Sequence, residues 1–302
     1  MTVTARAPAK VNVHLGVGSL RADGFHELRT VYLAVSLFDT VTVGPGDGLS
    51  VSVTGEGAGG DVPTDRRNLV WQAAELLAAH AGVPADATIA VAKNIPAAAG
   101  LAGGSADAAA ALVALDELWG TRASRGDLAG LAARLGSDVP FSLAGGVALG
   151  SGRGEQLSPV LARRPSHWVL GIAADGLSTP AVYRELDRLR AAGRVADGTD
   201  LSSPDAVLGA LRDGPPAALG AALSNDLQAP AFSLRPELRR ALRAATDAGA
   251  VAALVSGSGP TVAALTDDED AAVRLAAVLA GEGVFRTVRV VHGPVPGARV
   301  LS

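Results

Sequence analysis

Apolar and polar residues alternate one by one near the start of the chain. Between positions 10 and 15, the polar members of this alternation are Lys10, Asn12 and His14. Because successive side chains of a β-strand point to opposite faces, the pattern predicts a strand that carries these three groups on one face. The Gly-containing residues 16–26 are expected to form a loop after this strand.

Further elements follow from the same kind of pattern. Asn68 is a candidate N-cap for the first helix, and Gly82 is expected to end it. Periodicity predicts strands at 28–37, 41–43, 49–53, 87–92, 168–173 and 284–291, a turn at 38–40, and a strand–turn–strand unit at 252–265. It predicts helices at 68–80, 106–118, 127–135, 179–189, 234–245 and 269–279, and one that begins near Pro204.

The predicted elements indicate the fold class and the number of domains. Strands and helices mix without a regular βαβ repeat, which favours an α+β fold. A length of 302 residues suggests two domains, and the pattern changes near Pro159. We therefore expect domains at residues 1–158 and 159–302.

The composition limits the class of protein. Hydrophobic residues make up 48% of the sequence and aromatic residues 3%, which permits a sizeable aliphatic core and excludes a wholly disordered chain. The net charge of −4 argues against a dedicated nucleic-acid binder. The absence of cysteine excludes disulfides, thiolate catalysis and cysteine-based metal sites. Because Arg6 and Lys10 interrupt the first apolar stretch, we expect no signal peptide or membrane span, and hence a cytoplasmic protein.

Lysine is scarce in this sequence. Of the 26 basic residues, only Lys10 and Lys93 are lysines. A lysine that remains among so many arginines indicates a need for a compact ammonium, which a planar guanidinium does not replace. Chance is the alternative, above all for Lys93.

The segment from Pro96 to Ser105 carries the strongest functional signal. It is rich in glycine and alanine and runs directly into an alanine-rich helix. Glycine lets the backbone approach a ligand, and a helix N-terminus offers free N–H groups and the positive end of its dipole. Together they suit a di- or triphosphate, and Ser105 adds a hydroxyl for phosphate or Mg²⁺. The segment matches neither a Walker A loop nor a dinucleotide-binding motif, and the alternative is a tight connection packed with small residues.

Two other segments have a functional and a plain structural interpretation. Asp138 is either a catalytic carboxylate or the N-cap of a short helix with Pro140 in its first turn. The glycine-rich residues 256–260 either approach a ligand or form a simple β-turn between strands.

Taken together and in this order, these segments resemble the GHMP kinase superfamily, named for galactokinase, homoserine kinase, mevalonate kinase and phosphomevalonate kinase. That superfamily has a phosphate loop of the form Pro-x3-Gly-Leu-x-Ser/Gly-Ser between a lysine-bearing strand and a C-terminal glycine turn. The matching residues are Pro96, Ala97, Ala98, Ala99, Gly100, Leu101, Ala102, Gly103, Gly104, Ser105 and Ala106.

Within the superfamily, the chain is most similar to the 4-diphosphocytidyl-2-C-methyl-D-erythritol kinases. The Arg-Ala-Asp-Gly-aromatic-His stretch at 21–26 separates this family from its cousins. The segments that carry the resemblance span nearly the whole chain and lie at 8–12, 21–28, 68–70, 100–109, 138–141, 225–227 and 256–259.

The resemblance implies a fold and a reaction. The fold would have a ribosomal-protein-like N-terminal domain and a ferredoxin-like C-terminal domain. The reaction would transfer the γ-phosphoryl group of ATP, bound as Mg-ATP, to the 2-hydroxyl of the methylerythritol moiety, a step toward isoprenoid precursors. Asp138 would take or orient the proton of that hydroxyl, and Lys10 would keep Asp138 ionised and stabilise the transferred group.

The resemblance also implies which residues bind the acceptor substrate. Asn12 would reach the same ligand as Lys10. Phe25 would stack on the cytosine ring, and His26 would hydrogen-bond to it. The family often has tyrosine where this chain has Phe25, a change that keeps the stacking and loses any contact of the phenol hydroxyl.

On the ATP side, the resemblance assigns Asn68 and Lys93 to the adenine pocket, although each also has a plain interpretation as a helix cap or a surface charge. Ala102 stands where the family commonly has glycine. Because alanine favours negative φ, we expect helical or extended backbone at this position. Asn225 and Asp226 are expected near the substrate and the phosphates, together with the turn at 256–259.

Three alternatives remain open at this point. A kinase of the same superfamily could act on homoserine or a mevalonate derivative, but those substrates have no base for Phe25 and His26. A non-catalytic nucleotide- or sugar-binding module would be expected to lack Lys10 or Asp138. A nucleic-acid binder is disfavoured by the acidic charge.

The expected partners are ATP and the cytidine diphosphate substrate, with neither nucleic acid nor a membrane. We expect a monomer or a homodimer. No metal site made by the protein itself is predicted, and Mg²⁺ is expected only as the companion of ATP.

Overall fold

The computed structural model describes residues 1–58 and 62–301. Its strands, in chain order, are β1 (Val3–Leu20), β2 (His26–Gly44), β3 (Leu49–Thr54), β4 (Ala87–Ala92), β5 (Val147–Ser151), β6 (Gln156–Pro159), β7 (Ser166–Ile172), β8 (Ser224–Asn225), β9 (Ala252–Val255), β10 (Val262–Thr266), β11 (Thr287–Gly293) and β12 (Arg299–Val300). Its helices are α1 (Leu69–Ala81), α2 (Gly103–Trp119), α3 (Arg125–Leu135), α4 (Val139–Ala144), α5 (Thr179–Ala191), α6 (Asp205–Asp213), α7 (Pro216–Ala222), α8 (Gln228–Leu234), α9 (Glu237–Asp247) and α10 (Glu269–Gly281).

A long antiparallel hairpin of β1 and β2 organises the first half of the chain. The two strands pair along nearly their whole lengths, and only residues 21–25 connect them. The predicted strand with Lys10, Asn12 and His14 is confirmed. The predicted loop over 16–26 is confirmed only at residues 21–25, because pairing with β2 carries β1 on to Leu20 despite its glycines.

The predicted turn at 38–40 is also wrong, since β2 passes through it unbroken. Asp39, whose polarity suggested the turn, is fully buried. Its Oδ1 accepts hydrogen bonds of 2.6 and 2.7 Å from the backbone N–H groups of Asn94 and Ile95. A buried carboxylate thus lies in the middle of a strand and is satisfied by a distant part of the chain.

The strands form two sheets. The first has the order β12-β1-β2-β4-β3, with β5 added to β2, β6 to β5 and β8 to β1. The second has the order β11-β7-β10-β9 and is antiparallel throughout. The α+β class is confirmed. The division at residues 158 and 159 stays a prediction: it lies at the end of β6, while β8 and β12 return from the second half to pair with β1.

Helix ends are well specified by the sequence. Asn68 caps α1, because its Oδ1 accepts a 2.9 Å hydrogen bond from the Val70 N–H. Gly82 ends the same helix with a left-handed φ of 68°. The pattern did not predict α7 and α8, which have seven residues each, since two helical turns are too short to display a period.

Helix α2 lies against β1 and β2 and begins at the predicted phosphate loop. Its buried face consists largely of alanine, which brings the helix close to the sheet. One apolar core includes Leu112 from this helix together with Trp168 and Leu265 from the second sheet. The two sheets are therefore joined through a common core. In the described part of the chain, every helix is too short or too polar to cross a membrane.

Candidate active site

Two cavities meet at the predicted phosphate loop, residues 96–106. One, of about 820 Å³, is lined by Lys93 and is called here the Lys93 cavity. The other, of about 760 Å³, is lined by Lys10 and is called the Lys10 cavity. Ala99 and Gly104 line both cavities, so the phosphate loop forms the wall between them.

The phosphate loop passes through left-handed backbone before α2 begins. Ala98, Gly100 and Ala102 have φ values of 51°, 77° and 59°. The expectation that Ala102 is helical or extended is therefore wrong. Left-handed backbone costs a residue with a Cβ about 1–2 kcal/mol, and alanine carries the smallest side chain that has one. The turn brings the free N–H groups at the start of α2 to the Lys10 cavity, which Ser105 also lines.

The residues of the loop divide between the two cavities and the core. Leu101 and Ala106 are fully buried in the core and line neither cavity. The Leu101 carbonyl accepts a 3.2 Å hydrogen bond from the Lys10 N–H, which ties the loop to β1. The remaining predicted members line one cavity or both: Pro96, Ala97, Ala98 and Ala99 the Lys93 cavity, and Ala98, Ala99, Gly100, Ala102, Gly103 and Ser105 the Lys10 cavity, with Gly104 in each.

The glycine turn after β9 holds the phosphate loop in place. Ser256 Oγ donates to the Gly100 carbonyl at 3.2 Å. A side chain at Gly100 would collide with the Ser256 carbonyl. Asn225 Nδ2 donates to the carbonyls of Val255 and Gly257, both at 2.7 Å.

Of the turn at 256–259 and the segment 225–226, only the turn borders the Lys10 cavity. Gly257 and Ser258 line it, in keeping with the expected position of the turn. Asn225 and Asp226 do not line it, although they were expected near the substrate. Asp226 Oδ2 instead accepts a 2.8 Å hydrogen bond from the Val17 N–H, so both residues brace the framework.

Lys10 and Asp138 come together at the floor of the Lys10 cavity. The Lys10 ammonium is buried and lies 3.9 Å from Asp138 Oδ2. It donates to Asn12 Oδ1 at 2.6 Å, and Asn12 Nδ2 donates to Thr30 Oγ1 at 2.8 Å. Burial lowers the pKa of Lys10, and the negative charge of Asp138 partly offsets this effect.

Asp138 directly precedes α4, with Pro140 in the first turn as predicted. The interpretation of its side chain as an N-cap is wrong, because it makes no capping hydrogen bond. Its Oδ1 instead accepts a 3.1 Å hydrogen bond from the Tyr32 hydroxyl. With its side chain one-third exposed, the carboxylate faces the cavity and is available to a ligand.

Phe25 and His26 also line the Lys10 cavity. Phe25 lies at the tip of the β1–β2 turn and is half exposed, with the Arg153 guanidinium 4.9 Å from the centre of its ring. His26 is buried, its Nε2 donates to Asp187 Oδ1 at 2.9 Å, and its ring lies 5.1 Å from that of Tyr183. The wall of the cavity therefore includes aromatic surface beside polar groups.

Sequence reasoning did not identify Tyr32 and Tyr183 as site residues. They are the only two tyrosines in the chain, and both line the Lys10 cavity. Their scarcity was a usable signal of the same kind as the scarcity of lysine.

Lys93 is buried against two carboxylates. Its ammonium lies 2.7 Å from Asp39 Oδ2 and 2.6 Å from Asp107 Oδ2. The interpretation of Lys93 as a surface charge is wrong. Burial acts to lower the pKa of Lys93, but attraction to Asp107 and Asp39 outweighs it and raises that pKa. The cluster lines the Lys93 cavity beside Asn68, whose Nδ2 donates to the Pro63 carbonyl at 2.6 Å.

Burial raises the pKa of Asp107 to about 8, against the attraction of Lys93, and the nearby charge of Asp39 adds to the rise. One ammonium cannot neutralise two carboxylates, so a proton stays on Asp107 at neutral pH. The cluster then carries no net charge, which suits its burial beneath the phosphate loop. Residues 1–58 and 62–301 contain no group of three His, Cys, Asp or Glu side chains that could hold a metal ion.

Comparison with known proteins places this chain in a family. The model for the GHMP kinases N terminal domain matches residues 68–146, and the model for the GHMP kinases C terminal domain matches residues 207–284. A Rhodococcus jostii protein named 4-diphosphocytidyl-2-C-methyl-D-erythritol kinase is 60% identical over 300 residues, which are 99% of this chain and 95% of that protein.

Two solved structures have the same fold. A crystal structure of 4-(cytidine 5'-diphospho)-2C-methyl-D-erythritol kinase is 35% identical, with a TM-score of 0.75 over 96% of this chain and 98% of that one. Homoserine kinase from Cytophaga hutchinsonii superposes with a TM-score of 0.77 over 99% of this chain and 97% of that one, but its 20% identity shows the fold alone. Because the 60% identical relative extends over nearly the whole of both chains, the present chain belongs to the 4-diphosphocytidyl-2-C-methyl-D-erythritol kinase family of GHMP kinases.

Proposed function

We propose that this protein transfers the γ-phosphoryl group of ATP to the 2-hydroxyl of 4-diphosphocytidyl-2-C-methyl-D-erythritol. One observation carries the proposal beyond family membership. The Lys10 cavity is lined both by a buried ammonium with a carboxylate beside it and by aromatic side chains. An alcohol that also carries a nucleobase would use both groups of residues.

ATP is assigned to the wall between the two cavities. Its adenosine would occupy the Lys93 cavity, beside Asn68. Its phosphates would lie against the start of α2, where free N–H groups and the helix dipole favour negative charge. The γ-phosphoryl group would then reach the Lys10 cavity, whose wall includes Ser105.

The acceptor hydroxyl is assigned to the space beside Asp138. As its oxygen bonds to the γ-phosphorus, the bond from that phosphorus to the bridging oxygen of ADP breaks, and Asp138 takes the hydroxyl proton. The products are a phosphate monoester and ADP. Lys10 stabilises the charge on the transferred group, a contribution that a dry, preorganised site makes large.

The cytosine ring is assigned to the part of the Lys10 cavity that the aromatic side chains line. Phe25 offers a half-exposed ring for stacking, and Tyr183 adds a second aromatic side chain. His26 is already oriented by Asp187, which prepares its ring for a polar contact with the base. Homoserine and mevalonate contain no ring to use this surface.

The residues of the site are compatible with Mg²⁺ carried by ATP. Mg²⁺ prefers oxygen ligands and usually keeps few from the protein. The Ser105 hydroxyl supplies such an oxygen in the Lys10 cavity. The ion would neutralise part of the phosphate charge. Cytoplasmic location and a monomeric or homodimeric state stay predictions.

The direct test is ADP release by the purified protein with Mg-ATP and each candidate alcohol. We expect ADP release with 4-diphosphocytidyl-2-C-methyl-D-erythritol and with no other alcohol. A new phosphate monoester should appear in the ³¹P NMR spectrum of the same reaction. ADP with homoserine or mevalonate instead would overturn the proposed substrate. No ADP with any alcohol, from folded protein that binds ATP, would overturn the proposed activity.

A further inference from the structure

Tyr32 forms a direct hydrogen bond with the Asp138 carboxylate. Its hydroxyl donates to Asp138 Oδ1 at 3.1 Å, and the residue is only 2% exposed. The ring stacks on Phe141 with centroids 4.8 Å apart. Phe141 belongs to α4, the helix that Asp138 precedes, so Tyr32 contacts this segment both through its ring and through its hydroxyl.

The surrounding backbone leaves room for the phenol. A Cβ at Gly150 would lie 2.7 Å from Tyr32 Cε2, and a Cβ at Gly154 would collide with the Tyr32 hydroxyl oxygen. The β5–β6 hairpin therefore closes over the ring only because it carries glycine at position 150 in β5 and at position 154 in the turn. The hydroxyl is held in one place, with Asp138 as its hydrogen-bond acceptor.

We propose that Tyr32 is a positioning residue for the phosphoryl transfer: it fixes Asp138 Oδ1 so that Oδ2 faces Lys10 and the acceptor hydroxyl. This inference rests on the proposed function. A carboxylate at the start of a helix can otherwise rotate about its side-chain bonds. With one oxygen held by the phenol, the other has a defined direction toward the proton it must take.

The phenol can act as a donor throughout the working pH range. Burial raises the pKa of Tyr32 well above its ordinary value, and the negative charge of Asp138 raises it further. A hydrogen bond donated to the charged form of a carboxylate favours that form. The other titratable groups that act on this pair are Lys10 on β1, Tyr183 on α5 and Glu155 before β6.

The test is Tyr32→Phe, which removes one oxygen and keeps the stacked ring. Loss of a hydrogen bond to a charged group should lower kcat roughly tenfold to a hundredfold. KM for ATP and for the cytidyl substrate should stay nearly unchanged.

Two controls separate this role from packing. Phe141→Leu weakens the stacking but leaves the hydroxyl, so it should lower thermal stability and keep the wild-type kcat. In the Asp138→Asn background, Tyr32→Phe should have little further effect on residual turnover, since residues that act as a unit are not additive. A wild-type kcat in Tyr32→Phe would overturn the inference, whereas failure of the proposed function would appear as an inactive wild-type enzyme.

A measurement without Tyr32→Phe is also available, because the chain has only two tyrosines. Incorporation of 3-fluorotyrosine gives two ¹⁹F resonances, and Tyr183→Phe assigns them. The Tyr32 resonance should change its chemical shift in Asp138→Asn, because that substitution replaces the acceptor of its hydrogen bond. A Tyr32 resonance with the same chemical shift in both proteins would overturn the inference.

Discussion

Lys10 donates its close hydrogen bond to Asn12. The ammonium nitrogen lies 2.6 Å from Asn12 Oδ1, against 3.9 Å from Asp138 Oδ2. The two residues are neighbours on one face of β1, because residues two apart on a strand point the same way. A neutral amide holds the cation without cancelling its charge. The ammonium is thus left to respond to negative charge that develops on a transferred phosphoryl group.

Lys10 and Asp138 should therefore matter for turnover more than for ATP binding. We expect Lys10→Met and Asp138→Asn each to lower kcat by about two to four orders of magnitude. The dissociation constant for ATP should change much less, because the assigned ATP contacts lie along the phosphate loop. Steady-state ADP release and calorimetric titration with ATP measure the two quantities.

Arg163→Met is the matched control, since it removes an exposed cation paired with Asp213 on the surface. Its kcat should equal that of the unchanged enzyme. Near-normal turnover in Lys10→Met or Asp138→Asn would remove that residue from the proposed chemistry.

Phe25 should determine affinity for the cytidyl substrate alone. Stacking of a base on an aromatic side chain contributes roughly 1–3 kcal/mol. Phe25→Ala should thus raise KM for that substrate about fivefold to a hundredfold and leave KM for ATP unchanged. Phe25→Tyr keeps the ring and should keep the affinity. Equal loss of affinity for both substrates in Phe25→Ala would place this residue elsewhere.

Local patterns predicted much of the framework. The strand that places Lys10 beside Asn12, the cap at Asn68 and the stop at Gly82 depend on residues adjacent in sequence, and each is confirmed. A register shift between Asn12 and His14 interrupts the alternation, so the predicted common face is confirmed only for Lys10 and Asn12. The scarcity of lysine was also informative. Lys10 and Lys93 are 5% and 2% exposed, so the two lysines of the chain both occupy buried positions, where a compact ammonium fits. Neither residue is a surface charge.

The errors have non-local causes. Asp39 suggested a turn, but its carboxylate is satisfied by backbone more than fifty residues away, at Asn94 and Ile95. No local pattern reveals such a partner. Tyr32 was overlooked for the same reason, because its acceptor Asp138 is 106 residues distant in sequence.

Ala102 failed the prediction for a different reason. Its preference for negative φ is real, but the loop must turn left-handed to reach α2, and packing around Gly100 and Leu101 fixes that path. Tertiary structure has overridden a local preference of about 1–2 kcal/mol.

This strain is measurable. Ala102→Gly should relieve the strain. Part of this gain is offset because glycine adds conformational entropy to the unfolded chain. We therefore expect the free energy of unfolding to rise by about 0.5–1 kcal/mol. Ala97→Gly is the matched control in the same loop, where φ is not positive, and it should lower the free energy of unfolding by about 0.4–1 kcal/mol. Urea denaturation measures both. Equal destabilisation by the two substitutions would contradict the strain at Ala102.

The cluster of Lys93, Asp39 and Asp107 predicts how stability depends on pH. The pKa of Asp107 is about 8 in the folded protein, against an ordinary value of 3.8. Between those values the folded state keeps a proton that the unfolded state has lost. Stability from this group is therefore complete below about pH 4 and declines as pH rises toward 8, by at most about 1.4 kcal/mol per pH unit.

Asp107→Asn removes this titration while it keeps a group that can donate to Asp39 and accept from Lys93. From pH 6 to 8, the melting temperature of the unchanged protein should fall relative to that of Asp107→Asn, and the two curves should run parallel above about pH 9. Asp213→Asn, an exposed carboxylate paired with Arg163, should give a curve parallel to that of the unchanged protein throughout. Parallel curves for Asp107→Asn as well would mean that Asp107 is ionised at neutral pH, and that the buried cluster carries a net negative charge beneath the phosphate loop.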